Sequence, residues 1–291
     1  MAQVLKKKIV VCGGNGFLGS RICKAAVSRG WDVISISRSG EPTWSSVLSS
    51  SSRPSWSSSV EWHKADILKP STYKKQLEGA DAVVHSMGIL LEADYKGVLQ
   101  GKEPVLAGLR RAFSTTKKGS QNPLEQNGES NFSSMEKDGQ ITYELMNRDS
   151  AVLLARESST ANVSTFAYIS AAAGAPVLPS RYITTKRAAE STIQSAFPSM
   201  RSLFFRPGML YDQSRSITMA LACVTGVGAL TNSLVGGRLT WLMGAGGTKP
   251  LKADVVAEAV VEGIDESNVE GIIEVPHIEE LANKAWRRGM L

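Results

Sequence analysis

Tyr182 and Lys186 stand four residues apart in Tyr182-Ile183-Thr184-Thr185-Lys186. On a helix that spacing puts both side chains on one face. A lysine cation near a phenol favours the phenolate. The pair therefore predicts a tyrosine that gives or takes a proton near neutral pH. Ser170 lies twelve residues earlier, at the end of an apolar run. Its hydroxyl can bond a substrate oxygen beside Tyr182. Asn147 sits in an earlier helical stretch and can hold a proton-relay water near Lys186. These four residues form the candidate catalytic set. A Tyr–Lys pair at helical spacing also arises without function, so its surroundings must support it.

A second group suits a phosphate. Gly14-Asn15-Gly16-Phe17-Leu18-Gly19 fits G-x-G-x-x-G and follows the apolar Val10-Val11-Cys12-Gly13. Such a turn needs positive φ, bare backbone where a pyrophosphate approaches, and close packing of helix on strand. Amides at the helix start then bind phosphate, helped by the helix dipole. The expected ligand is a dinucleotide, held along Gly13, Gly14, Asn15, Gly16, Phe17, Leu18 and Gly19. A glycine turn that has lost its cofactor is the alternative.

The end of the second expected strand reports on the ribose. An acid there would bind the 2′-hydroxyl of NAD. This chain has Ser35-Ile36-Ser37-Arg38-Ser39 instead. Arg38 suits a 2′-phosphate, with Ser37 and Ser39 as hydrogen-bond partners. NADP(H) is thus favoured over NAD(H); an exposed arginine at a strand end is the plainer alternative. Asp66, followed by Ile67, closes the third strand, where a carboxylate can accept from an adenine amino group or simply form a turn. Ser86-Met87-Gly88 closes the fourth, where small residues let a cofactor pass.

The elements that must position these groups follow from pattern. Residues 8–12 read as a strand buried on both faces. Residues 17–29 read as a helix stopped by Gly30, and 31–37 as a second strand, completing a β-α-β unit. Residues 39–59, rich in Ser, Pro and Trp, read as a surface loop with little power to form a core. Further strands are expected at 60–65, 81–86, 165–170, 203–206 and 272–275, and helices at 70–78, 143–157, 182–196 and 253–264. Alternating strands and helices call for an α/β Rossmann fold, a doubly wound parallel sheet. One domain over 1–291 is expected: a Rossmann core at 8–210, a mobile insertion at 92–139, and a small C-terminal substrate or cap region at 211–291. The 216–237 run is uncharged and nominally long enough to span a bilayer. Its glycines and polar residues make a peripheral or substrate-lining segment the better expectation.

Composition narrows the partners. The chain has 291 residues, 42% hydrophobic, with net charge +6. The charge suits anionic partners, yet Lys and Arg are not interleaved with aromatics, so no nucleic acid is expected. Cys12, Cys23 and Cys223 lack C-x-x-C spacing, and His63, His85 and His277 are isolated. No disulfide framework and no metal site are expected. Residues 1–31 contain no acid but carry six Lys or Arg: Lys6, Lys7, Lys8, Arg21, Lys24 and Arg29. That is a mitochondrial type of address. The same residues build the first strand and helix, so the address would have to act uncleaved.

The Gly13/Gly16/Gly19 turn, Asn147, Ser170, Tyr182-x-x-x-Lys186 and Arg206-Pro207-Gly208 resemble the short-chain dehydrogenase/reductase superfamily, in its extended and atypical branches. The resemblance runs over roughly residues 8–275. It implies a Tyr182 general acid/base, a Lys186 that binds the nicotinamide ribose and tunes the Tyr, a Ser170 that orients substrate, and an Asn147 that completes the relay. It also places Arg206, Pro207 and Gly208 beside the cofactor. More narrowly, residues 13–19, 35–40, 84–92 and 168–171 are similar to the fungal mitochondrial member of the coenzyme Q biosynthetic complex. They are similar as well to the accessory subunit of respiratory complex I that shares this fold. That similarity implies the matrix side of the inner membrane, ubiquinone biosynthesis, a lipophilic substrate, partner proteins of the complex and peripheral membrane contact. Some members of these branches are structural parts that retain a nucleotide.

Overall fold

The computed structural model describes residues 6–48, 50–88, 142–173, 180–212 and 248–290. The expected insertion at 92–139 and the apolar run at 216–247 lie outside the described residues.

Seven parallel strands form the central sheet: β1 (Lys8–Cys12), β2 (Asp32–Ser37), β3 (Val60–Lys64), β4 (Ala82–His85), β5 (Thr165–Ile169), β6 (Arg201–Phe205) and β9 (Gly271–Ile273). Their order is β3-β2-β1-β4-β5-β6-β9. The chain leaves β1 towards β2 and β3 on one side, then returns to β4, β5 and β6 on the other. The order therefore reverses between β1 and β4, and ligands of open α/β sheets bind at the carboxyl edge of such a switch point. A second, two-stranded parallel sheet pairs β7 (Leu210–Tyr211) with β8 (Leu251–Lys252).

Alternation along β1 divides the core. Ile9 and Val11 join Ile22, Ala26, Val256, Val260, Ile278 and Leu281 on one face. These come from α1 (Gly19–Ser28), α6 (Ala253–Asp265) and α7 (Val275–Arg288). Val10 and Cys12 join Leu77, Val152, Leu154, Ala189 and Ile193 on the other. These come from α3 (Lys74–Leu77), α4 (Ser150–Thr160) and α5 (Ser180–Ala196). Helices on both faces bury the inner strands β1, β4, β5 and β6 almost completely, which explains their apolar runs, while the edge strands β3 and β9 stay partly exposed.

Three expectations need correction. The 39–59 segment is not merely a surface loop. It contains α2 (Trp44–Val47) and a 3₁₀ turn at Ser55–Ser59, and buries Trp44 and Val47. Trp44 meets Trp56 and Trp62 edge-on, at 5.5 and 5.8 Å between ring centroids. The late strand stops at Ile273, and Val275 opens α7 rather than extending the strand. Pro276 suits the first turn of that helix, where its missing N–H is not needed. The 143–157 helix opens as a π-helix, Glu144–Asp149, before continuing as α4.

Candidate functional site

All the expected cofactor and catalytic residues fall at the carboxyl edge of the sheet or on the helices beside it. The turn after β1 comes first. Gly13 has φ +83°, donates its N–H to Ile36 O at 2.9 Å, and accepts from the Gly16 N–H at 2.9 Å. A β-carbon at Gly19 would stand 2.1 Å from Gly13 O and 2.7 Å from Ser86 Oγ. The helix can therefore start here only with glycine at 19. Asn15, Gly16 and Phe17 line the partly open side. A β-carbon at Gly16 would meet only Gly13 O, at 3.1 Å, so the space before the turn is open. Leu18 precedes the helix, packed into the core. Open space, bare backbone and a helix start together fit a pyrophosphate.

Asn15 Nδ2 donates to Ser39 Oγ at 2.7 Å, drawing the turn and the loop after β2 together. Arg38 is exposed in that loop and forms no ion pair with the described residues. Ser37 spends its hydroxyl on the loop itself, donating to Gly40 O at 2.9 Å and accepting from Gly40 N at 3.1 Å. The β2–β3 register sets Lys64 opposite Ser37. The Lys64 stem lies 3.1 Å from where a Gly40 β-carbon would be. Lys64 was not among the expected site residues. Only the strand pairing, not sequence distance, brings this second cation to the Arg38 loop.

Asp66 Oδ1 accepts from the Leu68 N–H at 3.1 Å, forming a side-chain turn, and Ile67 is buried in the core. Ser86 Oγ donates to Cys12 O at 2.9 Å, while Met87 Sδ lies 3.2 Å from Cys12 Sγ. Gly88 is exposed beyond them.

The catalytic candidates converge from three elements. The π-helix presents Asn147, buried, with its carbonyl accepting from Tyr168 Oη at 2.6 Å. Such helices frequently mark functional sites. Lys186, 4% exposed, donates to Ile169 O at 3.0 Å. Its Nζ lies 5.2 Å from the Tyr168 ring and 5.7 Å from the Tyr182 ring. A β-carbon at Gly88 would stand 3.2 Å from Asn147 Oδ1 and 3.5 Å from Lys186 Nζ. The strand end, the π-helix and α5 thus meet at one point. Arg181 anchors α5 to the π-helix through a two-pronged pair with Glu144, 3.0 Å at Nε. Tyr182 is half-buried, its ring against Tyr143 at 5.9 Å.

The electrostatics differ from the expectation. Burial pushes the Tyr182 phenol up to about 12, and the charge pulling it back is that of Arg187. Burial pushes Lys186 down to about 8, against the pull of Glu190. Tyr182 therefore keeps its proton at neutral pH rather than sharing it. Desolvation of the phenol outweighs the nearby cations.

Ser170 Oγ accepts from Arg187 Nη1 at 3.0 Å. Arg206 binds Glu190 and, at 2.9 Å, Glu274. Pro207 O accepts from Ala172 N at 2.8 Å, and a β-carbon at Gly208 would lie 2.8 Å from Thr248 Oγ1. These three residues are tied into the protein itself at the end of β6. Among the described residues no His/Cys/Asp/Glu group could hold a metal ion, and no helix is long and apolar enough to cross a membrane. His85 is packed in the core, Nε2 against Ser150 Oγ at 2.8 Å, and burial pushes it down to about 3.

Comparisons with known proteins agree with this frame. Residues 9–94 match the model of the NAD dependent epimerase/dehydratase family. The chain is 39% identical over 222 residues to MIOREX complex component 2 of Saccharomyces cerevisiae, covering 72% of this chain and 74% of the relative. The UDP-glucuronic acid 4-epimerase of Bacillus cereus, solved with NAD, superposes with a TM-score of 0.54 at 16% identity. That match covers 92% of this chain and 76% of the epimerase. The UDP-Glc/GlcNAc 4-epimerase of Campylobacter jejuni gives 0.54 at 14% identity, covering 98% and 84%. The structural likenesses show the fold; the yeast relative and the matched segment show the kinship. The chain belongs to the NAD dependent epimerase/dehydratase family, as a short-chain dehydrogenase/reductase-like relative of the yeast complex component.

Proposed function

We propose that this chain is an NADP(H)-dependent oxidoreductase that works within a mitochondrial protein assembly, on the matrix side of the inner membrane. Its substrate would be a lipophilic quinone precursor on the route to ubiquinone. The observation that carries the catalytic part is the meeting of Gly88, Asn147 and Lys186 beside Tyr182. Packing alone does not call for a buried lysine under a tyrosine at the edge where a dinucleotide binds. The assembly is supported by the yeast relative, a component of a named complex. The location is supported by the acid-free basic start of the chain and by the sequence resemblance.

Each residue has a task in this reading. The glycine turn holds the pyrophosphate, and Arg38 with Lys64 the 2′-phosphate. A bound nicotinamide supplies or accepts the hydride. Tyr182 holds a proton on Oη at neutral pH and gives it to a substrate oxygen. Ser170 orients that oxygen. Lys186 stabilises the phenolate left behind, and Asn147 beside it holds the water that returns the proton.

A second reading is a nucleotide-binding assembly subunit without turnover, stabilised by its ligand. Exposed apolar side chains late in the chain favour it: Trp286 is 66% and Met290 67% accessible. One experiment separates the two. The protein is purified, its nucleotide identified, and Tyr182→Phe expressed in cells lacking the wild type. Depleted ubiquinone in the Phe variant supports catalysis. Normal ubiquinone in that variant, with depletion on deleting the protein, sinks it.

A further inference from the structure

Near their carboxyl ends β4 and β5 carry two polar side chains that stand side by side. The strand register pairs His85 with Tyr168, and their ring centroids lie 5.4 Å apart. Both are fully buried, on the face of Val83 and Phe166, which cluster with Val152 and Leu154 of α4. Apolar residues would fill that space at less cost, since a buried polar group must find a partner. Each of the two finds it on the π-helix.

Tyr168 Oη donates to Asn147 O at 2.6 Å. His85 reaches the helix through Ser150: Nε2 lies 2.8 Å from Ser150 Oγ, which lies 2.9 Å from Met146 O. The groups themselves set the directions. A hydroxyl has one hydrogen, and a carbonyl only accepts. Ser150 therefore gives its hydrogen to Met146 O, and His85 must donate to Ser150 from Nε2. Two successive carbonyls, those of Met146 and Asn147, are thus bound by hydroxyls. One hydroxyl belongs to the sheet, and the other is fixed by the sheet. Both carbonyls lie inside the π-turn, whose closing N–H at Ser150 reaches back to Leu145 O. A π-turn is a rare departure from α-winding, and side chains inserted into the helix ladder are among the causes of such departures.

We infer that His85 and Tyr168 are positioning residues: side by side on β4 and β5, they hold the π-turn from the sheet and so fix Asn147 beside Lys186 and Gly88. The winding of this helix is set by the strands beneath it as well as by its own sequence. The catalytic consequence rests on the oxidoreductase reading; the structural one does not.

The test uses the full chain and three variants. Tyr168→Phe removes the hydroxyl and keeps the ring. His85→Leu removes the donor, and His85→Gln returns an N–H to about the place of Nε2. Amide hydrogen exchange is followed by mass spectrometry. Exchange within 144–150 is expected to rise about ten- to a hundredfold in Tyr168→Phe and His85→Leu, with His85→Gln between them and the wild type. Peptides of β1 and of α4 beyond Val152 should change far less.

In parallel, NADPH oxidation is followed with menadione, a soluble quinone. Tyr168→Phe is expected to lower kcat about ten- to a hundredfold with little change in KM. In an Asn147→Ala background the same substitution should cost almost nothing further, because Tyr168 acts through Asn147.

Unchanged exchange within 144–150, in variants folded by circular dichroism, overturns the inference. So does a rise spread evenly over β1, β5 and α4, which would make these ordinary core contacts. A loss of kcat equal in the wild-type and Asn147→Ala backgrounds, or no loss at all, overturns its catalytic part. A wild type inert towards menadione, with exchange still rising locally in the variants, counts against the oxidoreductase reading and leaves the hold on the π-turn supported.

Discussion

Gly19 packs under Gly13 so closely that a β-carbon at position 19 would lie 2.1 Å from the Gly13 carbonyl oxygen. The nearest obstacle is the Gly13 backbone, so no rotamer change relieves it. Gly19→Ala is expected to cost about 1–3 kcal/mol of stability, the usual toll of overpacking. It should also lower affinity for any dinucleotide. Urea unfolding and nucleotide titration measure the two effects. An Ala variant equal to the wild type in both would show that the turn relaxes freely.

Arg38 is an exposed guanidinium on a loop stapled to the glycine turn through Asn15 and Ser39. Arg38→Ala is expected to weaken NADPH binding by about 1.5–3 kcal/mol, roughly ten- to a hundredfold in Kd, and NADH binding far less. Calorimetric titration with both nucleotides decides. Equal losses would remove the 2′-phosphate from this loop.

Lys186 links the site to pH. Burial holds it near 8, against 10.5 in an unfolded chain. Between those values the unfolded state binds more protons than the folded one, so this group makes stability rise with pH across that window. Below pH 8 the full cost of burying the charge remains. Lys186→Met is therefore expected to be more stable than the nucleotide-free wild type at pH 7, by up to about 3 kcal/mol. The margin should shrink between pH 8 and 10.5. Urea midpoints at pH 7, 9 and 10.5 test this, and a margin independent of pH would contradict it.

Trp44, 7% exposed, is the centre of the Trp44–Trp56–Trp62 cluster. Trp44→Ala is expected to cost about 3–5 kcal/mol. The exposed Trp286→Ala should stay within about 0.5 kcal/mol of the wild type. Denaturation of the two variants side by side gives the comparison. Equal midpoints would return residues 39–59 to a loop without a core.

The inner strands were legible because a parallel sheet buried on both faces writes them as apolar runs, as in Lys8–Cys12 and Thr165–Ile169. The glycine turn was legible because the sterics at Gly13 and Gly19 admit one residue type. Helix α7 was not: Ile272-Ile273-Glu274-Val275 has the composition of a strand, and the edge strand is only three residues long. Pro276 was the available signal. The Trp cluster was obscured by serines around it, since composition averages over residues that pack and residues that do not. At the site, the Tyr182–Lys186 spacing was visible, but the tyrosine's protonation was not. It depends on how deeply the ring is buried and on Arg187, whose partners come from β5. Lys64 likewise reaches the Arg38 loop only through strand pairing.

The π-helix at Glu144–Asp149 holds a surplus residue relative to an α-helix entering α4. Removing one residue there would restore ordinary winding, leave the residues outside the turn in their directions and re-aim those within it. Asn147, inside the turn, would leave the Lys186–Gly88 junction. The sheet and α4 would keep their packing. A single-codon deletion in this stretch is thus a natural way for a lineage to keep the scaffold and retire the chemistry. Its presence or absence among relatives would sort working enzymes from parts that have become structural.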